Sequence, residues 1–356
     1  MFGRGAPEVD GTGEGPNYIA FGTVVRAAPI ERGGELVLMD WSEKEVVRKV
    51  PVMPRDPTIG DDPNPRGNAR GCRGLRWNDE QIVAATYHTL EFYNESLQRT
   101  GEVNGGLMVG LHEIDLTDRN SVWVSSTAID AAVEYDLDTG EQIRALWPRE
   151  MPFFQKTLDL DPLRIDKSAD NRLEFLDPSV TDTGSHLHLN AVEEHEGRVY
   201  ALCNSPGVVL DLTREQIALQ HDGLQGAHNL KITADGVAVV NDTTGRAVQF
   251  FDLNAGRRIR SIDLTQYQWV RSLIRWQIPS YWGRELATRA GLMDDVVARP
   301  LFVRGLVPYG DDLFVGVSPA AILQIHHPSG ELVDAYQYSD DVHVCIHGID
   351  VQDSSS

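Results

Sequence analysis

Four histidines and two arginines open short, similar stretches along the chain: Arg73-Gly74-Leu75, His112-Glu113-Ile114, His188-Leu189-Asn190, His228-Asn229-Leu230, Arg304-Gly305-Leu306 and His347-Gly348-Ile349. If these six residues meet, two chemistries follow. Neutral imidazoles of His112, His188, His228 and His347 suit one divalent transition metal, zinc, iron or manganese, that polarises a substrate oxygen or supplies hydroxide. Arg73 and Arg304 would then hold an anionic substrate group, and hydrolysis or elimination is the expected reaction type. Alternatively the arginines clamp a planar or tetrahedral anion while one histidine acts as nucleophile or general base, without a metal. Channel-lining side chains that only hold water and tie elements together are the bland alternative for any one of them. The same residue types at six equivalent places weigh toward function.

An internal repeat brings them together. Each stretch begins a unit of short strands separated by polar turns. The clearest runs from His112-Glu113-Ile114-Asp115-Leu116 through Ser121–Ser125 and Ala132–Asp136 to Gln142–Leu146. Unit starts are separated by 39 residues (73 to 112), 76 (112 to 188), 40 (188 to 228), 76 (228 to 304) and 43 (304 to 347). Short steps of this size match propeller blades. The long ones are a blade plus an insertion, at about 149–185 and 265–299. The sixth unit is split: its first strand lies at 347–351 and the others at 18–21, 35–39 and 46–50. The expected fold is all-β, a six-bladed β-propeller closed by pairing the C-terminal strand with N-terminal strands, which leaves no sheet edge bare. It occupies 17–353 after a loose segment, 1–16, with a loose Ser354–Ser356 tail. In the first insertion only Arg172–Leu176 reads as a strand. The second, with Trp269, Leu273, Trp276 and Tyr281, reads as helical cover. First strands line a propeller's axis, so the four imidazoles and two guanidiniums are expected to converge there, provided the register holds.

The blades "HLNAV…GRVYAL", "AHNLKITADGVAVVNDTTGRAVQFFDL" and "FVRGLVPYGDDLFVGVS" resemble an uncharacterised bacterial and archaeal propeller family with histidine- and RGL-led blades. More distantly they resemble arylsulfotransferases and NHL-type propellers, including the peptidyl-hydroxyglycine lyases. The arylsulfotransferase resemblance implies that one of His112, His188, His228 or His347 carries a sulfo group and that Arg73 or Arg304 clamps sulfate. The lyase resemblance implies three channel histidines on zinc with arginines nearby. The chain departs from both in lacking an export signal, and from the lyases in having a fourth histidine.

Other residues carry less. His186 and His343 precede ring histidines and are expected in loops or behind them. Cys72 and Cys345 precede ring residues in adjacent blades, and with Cys203 they make an odd, unpatterned set that reads as buried thiols. Asp115, Asp350 and Asn190 follow ring residues and are expected to bond between blades. Asp136–Gly140 reads as a hairpin rather than a calcium loop. His326-His327 reads as an exposed turn. Walker, GxSxG and HExxH motifs are absent from the sequence.

The chain has 356 residues, 53 acidic against 32 basic, a net charge of −21, and 41% hydrophobic residues, enough for a full core. That charge argues against nucleic acid and anionic membranes. A small anionic substrate is the expected partner, with a protein partner on the blade faces as the non-catalytic scaffold alternative. Only five of the basic residues are lysine (Lys44, Lys49, Lys156, Lys167, Lys231), which suits either a high-salt cytoplasm or a high-GC genome. Without an apolar N-terminal run or an 18-residue apolar stretch, a cytoplasmic protein is expected. The excess acid is expected on outer strands and turns, at Glu134, Asp138, Glu141, Glu193 and Glu194.

Overall fold

The structure, a computed structural model, describes residues 16–54, 70–78, 81–176, 186–275, 277–292 and 301–352. Six four-stranded antiparallel sheets form the blades. Blade 1 runs β1 (Tyr18–Val25), β2 (Glu35–Asp40) and β3 (Glu45–Pro51) outward. Blade 2 holds β4 (Leu75–Trp77), β5 (Ile82–Ala85), β6 (Thr89–Tyr93) and β7 (Arg99–Asn104). Blade 3 holds β8 (Leu111–Leu116), β9 (Ser121–Ser126), β10 (Ala131–Asp136) and β11 (Gln142–Leu146). Blade 4 holds β12 (Leu189–His195), β13 (Arg198–Cys203), β14 (Val208–Asp211) and β15 (Gln216–Gln220). Blade 5 holds β16 (His228–Ile232), β17 (Val237–Asp242), β18 (Ala247–Asp252) and β19 (Arg257–Asp263). Blade 6 holds β20 (Leu306–Tyr309), β21 (Asp312–Val317), β22 (Ala321–His326) and β23 (Glu331–Gln337). The last strand, β24 (Val344–Val351), pairs with β1 as the inner strand of blade 1, from Ile19↔Val351 to Val25↔Val344, and closes the ring. The six blades and the closure match the expectation from the repeat.

Apolar residues lie on both faces of the middle strands, because each blade is covered on two sides. The result is six hydrophobic wedges between neighbouring blades rather than one central core. Phe21, Val37 and Met39 of blade 1 pack on Phe314 and Ile322 of blade 6. Val83 and Leu90 of blade 2 pack on Ile114, Val124 and Val133 of blade 3. The Asp136–Gly140 segment is the expected hairpin: Asp136 Oδ1 accepts from the Asp138 and Thr139 amides.

The insertions differ in part from the expectation. The first contains α1 (Pro152–Leu158), and Arg172–Leu176 is not a strand; Glu174–Leu176 forms a 3-10 turn whose Phe175 is buried against blade 3. The second contains α2 (Gln268–Ile274) and α3 (Gln277–Arg289), with Trp269, Val270 and Ile274 packed between blades 5 and 6. Among the described residues no helix is long and apolar enough to cross a membrane. Residues 1–15, most of the 1–16 segment, and Ser354–Ser356 lie outside the described residues, as do 177–185 and 293–300.

The inner strands approach at a repeated contact. A glycine follows the ring residue in blades 2, 6 and 1, and each faces the carbonyl of the next blade's ring residue. A Cβ on Gly348 would stand 2.2 Å from the Arg73 carbonyl oxygen, and one on Gly74 2.8 Å from that of His112. No side chain fits there without moving backbone. Gly348→Ala is therefore expected to destabilise the protein by about 3 kcal/mol or more, read by urea denaturation. A loss under about 0.5 kcal/mol would show that the strands are not held this closely.

Candidate functional site

The close approach sets the ring residues side by side, and the structure brings all six together. His112 is central: its ring centroid lies 5.6 Å from those of His188 and His347 and 6.4 Å from that of His228. Arg73 Nη1 is 3.4 Å from both ring nitrogens of His112. Arg304 joins two histidines, Nη2 to His228 Nε2 at 2.6 Å and Nη1 to His347 Nε2. Arg73, His112, His228, Arg304 and His347 are buried; His188 is half-buried, with a left-handed φ of 51°.

Hydrogen-bond direction assigns the tautomers. A carbonyl only accepts, so His112 Nδ1, 3.1 Å from the Gly110 carbonyl, carries the proton and leaves Nε2 with the lone pair. Thr243 gives its hydroxyl proton to the Val303 carbonyl at 2.7 Å and so accepts from His228 Nδ1 at 2.9 Å. Because guanidinium only donates, His228 and His347 are both Nδ1–H tautomers whose Nε2 atoms are committed to Arg304. His347 Nδ1–H and Arg304 Nε–H are then buried donors without a hydrogen-bond acceptor among the described residues. Burial, and then the neighbouring arginines, hold the imidazoles neutral: His188 is lowered to about 4, and His112, His228 and His347 lie well below the usual histidine range.

Two partners lie outside the repeat register. Phe302 sits under the Arg304 guanidinium at 4.4 Å and beside the His228 ring at 5.7 Å. Arg26, just after β1, stacks on the same Phe302 at 4.8 Å. The only hint in the sequence is the placement of Phe302 two residues before a ring arginine.

A second layer lies further along the inner strands. Arg76 Nη2 donates to Asp115 and Glu193, both at 3.2 Å, and Lys231 pairs with Glu193 at 3.1 Å. Above these, Glu113 accepts from Asn229 at 2.6 Å, and burial pushes its carboxyl up to about 8. This corrects the expectation that Glu193 and Glu134 lie on the acidic exterior. A register shift between Leu189 and Ala191 turns Glu193 toward the axis, and Glu134 is buried under Arg119 and Arg144. The acidic-exterior, cationic-channel contrast therefore holds only at the ring level.

Asp115, Asp350 and Asn190 bond between blades as expected. Asp115 accepts from the Glu194 amide (2.9 Å) and Asp350 from the Trp77 amide (2.8 Å), while Asn190 donates to the Ala227 carbonyl (2.8 Å). None orients a ring histidine. His186 is exposed, with its amide on Asp130, and His343 pairs with Asp341, so neither backs the ring. His326 is half-buried against Asp312 rather than freely exposed. Cys72, Cys203 and Cys345 are buried free thiols.

Among the described residues no three His, Cys, Asp or Glu side chains are arranged to hold a metal ion. The tautomers give the reason at the ring: two of the four Nε2 lone pairs serve Arg304.

Two measurements check this electrostatic account. Imidazole NMR signals of the ring histidines should show no protonation step from pH 8 to pH 5; a step near the ordinary histidine value would contradict it. In the second layer, burial raises the carboxyls of both Asp115 and Glu193, and the neighbouring Asp115 carboxylate raises Glu193 further. Folded-state values above the unfolded ones mean that stability is full at low pH and falls as pH rises through the folded values. Below about pH 6.5 the four neutral histidines work the other way, so the contribution of the raised carboxyls is read above pH 7: there the melting temperature should fall as pH rises, and Glu193→Gln should flatten that slope. An unchanged slope would show that Glu193 does not titrate above the ordinary carboxylate range.

No protein-family model matches the chain, and no curated protein matches it. Solved structures do. One is a protein of unknown function from Bacteroides caccae, with a TM-score of 0.56 and 9% identity over 94% of this chain and 98% of that one. Another is a crystal structure of a nidogen/laminin complex, with a TM-score of 0.54 and 11% identity over 93% of this chain and 97% of that one. At such identities the likeness concerns the fold alone, and the fold is a six-bladed β-propeller.

Proposed function

We propose that the axial ring binds a small oxyanion and acts on it without a metal. The carrying observation is Arg304. It is buried, has two neutral imidazoles as acceptors, makes no ion pair with a carboxylate among the described residues, and keeps an unsatisfied Nε–H, as His347 keeps an unsatisfied Nδ1–H. Buried donors of this kind are stabilised by an acceptor that carries negative charge. Arg304 and His347 would bind the anion, and Arg73, beside His112, would cover it.

The group acting on the anion is an imidazole whose lone pair is not committed. The His188 side chain makes no hydrogen bond among the described residues, is half-buried and is neutral above about pH 4. His112 has its Nδ1–H fixed on Gly110, and its Nε2 lone pair meets only the long 3.4 Å contact from Arg73. Either fits a nucleophile on the sulfur or phosphorus of an ester. Its nitrogen forms the new bond, the ester oxygen leaves with the electron pair of the broken bond, and an acceptor or water later takes the group from the imidazole.

The second reading keeps zinc, iron or manganese on His112, His188, His228 and His347, with Arg73 and Arg304 taking the substrate anion in a hydrolase or lyase. It draws on the convergence of three imidazoles around His112. It requires Arg304 to release both His228 and His347.

Calorimetry with inorganic sulfate and phosphate on untagged protein, beside Arg304→Gln, tests the proposal. The wild type should bind about one equivalent, and the variant at least tenfold more weakly, since a charge-assisted bond contributes about 1.5–3 kcal/mol. Equal affinity in the two would overturn the proposal. A transition metal present at one equivalent, with anion binding lost on its removal, would favour the second reading.

A further inference from the structure

Arg304 is not the only cation at this end without a carboxylate. The Arg26 guanidinium carbon lies 4.8 Å from the centroid of Phe302, and that of Arg304 lies 4.4 Å from the same centroid. Two like charges thus share one aromatic ring. Guanidinium does not give up its proton in proteins, so the pair cannot relieve its repulsion by neutralising. Burial, and then Arg26, disfavour the charge on Arg304. Elsewhere in the protein, cations drawn out of water have carboxylates: Arg76 has Asp115 and Glu193, Lys231 has Glu193, and Arg149 faces Asp130. Glu113, on the layer below Arg304, accepts from Asn229 and makes no ion pair with either arginine. Cation–π attraction to Phe302 offsets about 0.5–2 kcal/mol per guanidinium, less than an ionic partner in a partly buried site would supply. The histidines add no negative charge. Two positive charges therefore share Phe302 with no carboxylate paired to either among the described residues, and Arg26 and Phe302 are both half-buried, open to a ligand.

We infer that Arg26, Arg304 and Phe302 together form a dianion site, so that the ligand of the axial ring is a phosphate monoester rather than a singly charged sulfate ester. The inference rests on the oxyanion reading of the ring and narrows it to a substrate class. A phosphate monoester carries close to two charges above pH 7, whereas a sulfate monoester carries one. Arg304 and His347 would take one face of the phosphoryl group. Arg26, entering from the end of β1, would take a terminal oxygen that carries about twice the charge in a phosphate monoester dianion that it carries in a sulfate ester. Phe302, held between the guanidiniums and His228, fixes both arginines in place.

The test is calorimetry at pH 8 on the full chain with phenyl phosphate and phenyl sulfate, comparing wild type, Arg26→Gln and Arg304→Gln, with melting curves of each. The wild type should bind phenyl phosphate about tenfold or more tightly than phenyl sulfate. Arg26→Gln should bring that ratio close to one by weakening phosphate, with sulfate changed less than about threefold. Arg304→Gln should weaken both. A wild type that binds the two esters equally, or an Arg26→Gln variant that weakens both alike or neither, would overturn the dianion site while leaving the ring as an oxyanion site. Neither ester binding to the wild type would remove the oxyanion reading and this inference with it.

Discussion

The carbonyl oxygen of Arg73 lies where a Cβ on Gly348 would have to be, and the His112 carbonyl stands in the same relation to Gly74. These backbone-to-backbone approaches set the diameter of the ring. With side chains in those places, neighbouring inner strands would move apart and the imidazoles could not stand 5.6 Å from one another. In blades 3 to 5 hydrogen bonds do the corresponding work: Thr127 of blade 3 reaches the Leu189 carbonyl, Asn190 of blade 4 the Ala227 carbonyl, and Asn229 of blade 5 the Gly305 amide. The outer wedges of apolar side chains supply most of the burial energy. They would tolerate small shifts that the axis does not.

Two electrostatic regimes stack along that axis. In the layer of Arg76, Asp115, Glu193 and Lys231, two cations face two carboxyl groups and every charge has a partner. Such a layer ties inner strands of blades 2 to 5 together and is self-contained. At the ring the cations are accepted by neutral imidazoles instead. Imidazole in the Nδ1–H form satisfies guanidinium donors without cancelling their charge, and this separates a site built for an anion from an internal salt bridge. The chain of bonds from Val303 through Thr243 and His228 to Arg304 fixes that tautomer from behind.

The architecture and the ring positions were legible because both follow from one repeated feature. A ring residue and an apolar alternation recur at blade spacing, and the split sixth unit announces closure. Less legible were features that depend on register detail or on distant segments. Glu193 reads as an outer residue until the shift at Leu189–Ala191 is known. Arg172–Leu176 alternates like a strand, yet Phe175 serves only to fill a hollow beside blade 3. Phe302 and Arg26 belong to connections rather than to the repeat, and they meet only because ring closure places blade 1 beside blade 6. The sequence pattern also counted four equivalent histidines. Hydrogen-bond direction makes them unequal: His228 and His347 serve Arg304, His112 Nε2 has only a long contact from Arg73, and the His188 side chain has no hydrogen bond among the described residues.

The central claim is that neutral imidazoles and the Arg304 guanidinium, which pairs with no carboxylate among the described residues, recognise an anion by themselves. The most direct measurement is calorimetric titration of untagged protein with inorganic phosphate before and after treatment with a strong chelator. The account predicts about one equivalent bound in both cases with the same affinity. Binding that disappears on chelation and returns with added zinc, iron or manganese would contradict it, as would no binding in either state.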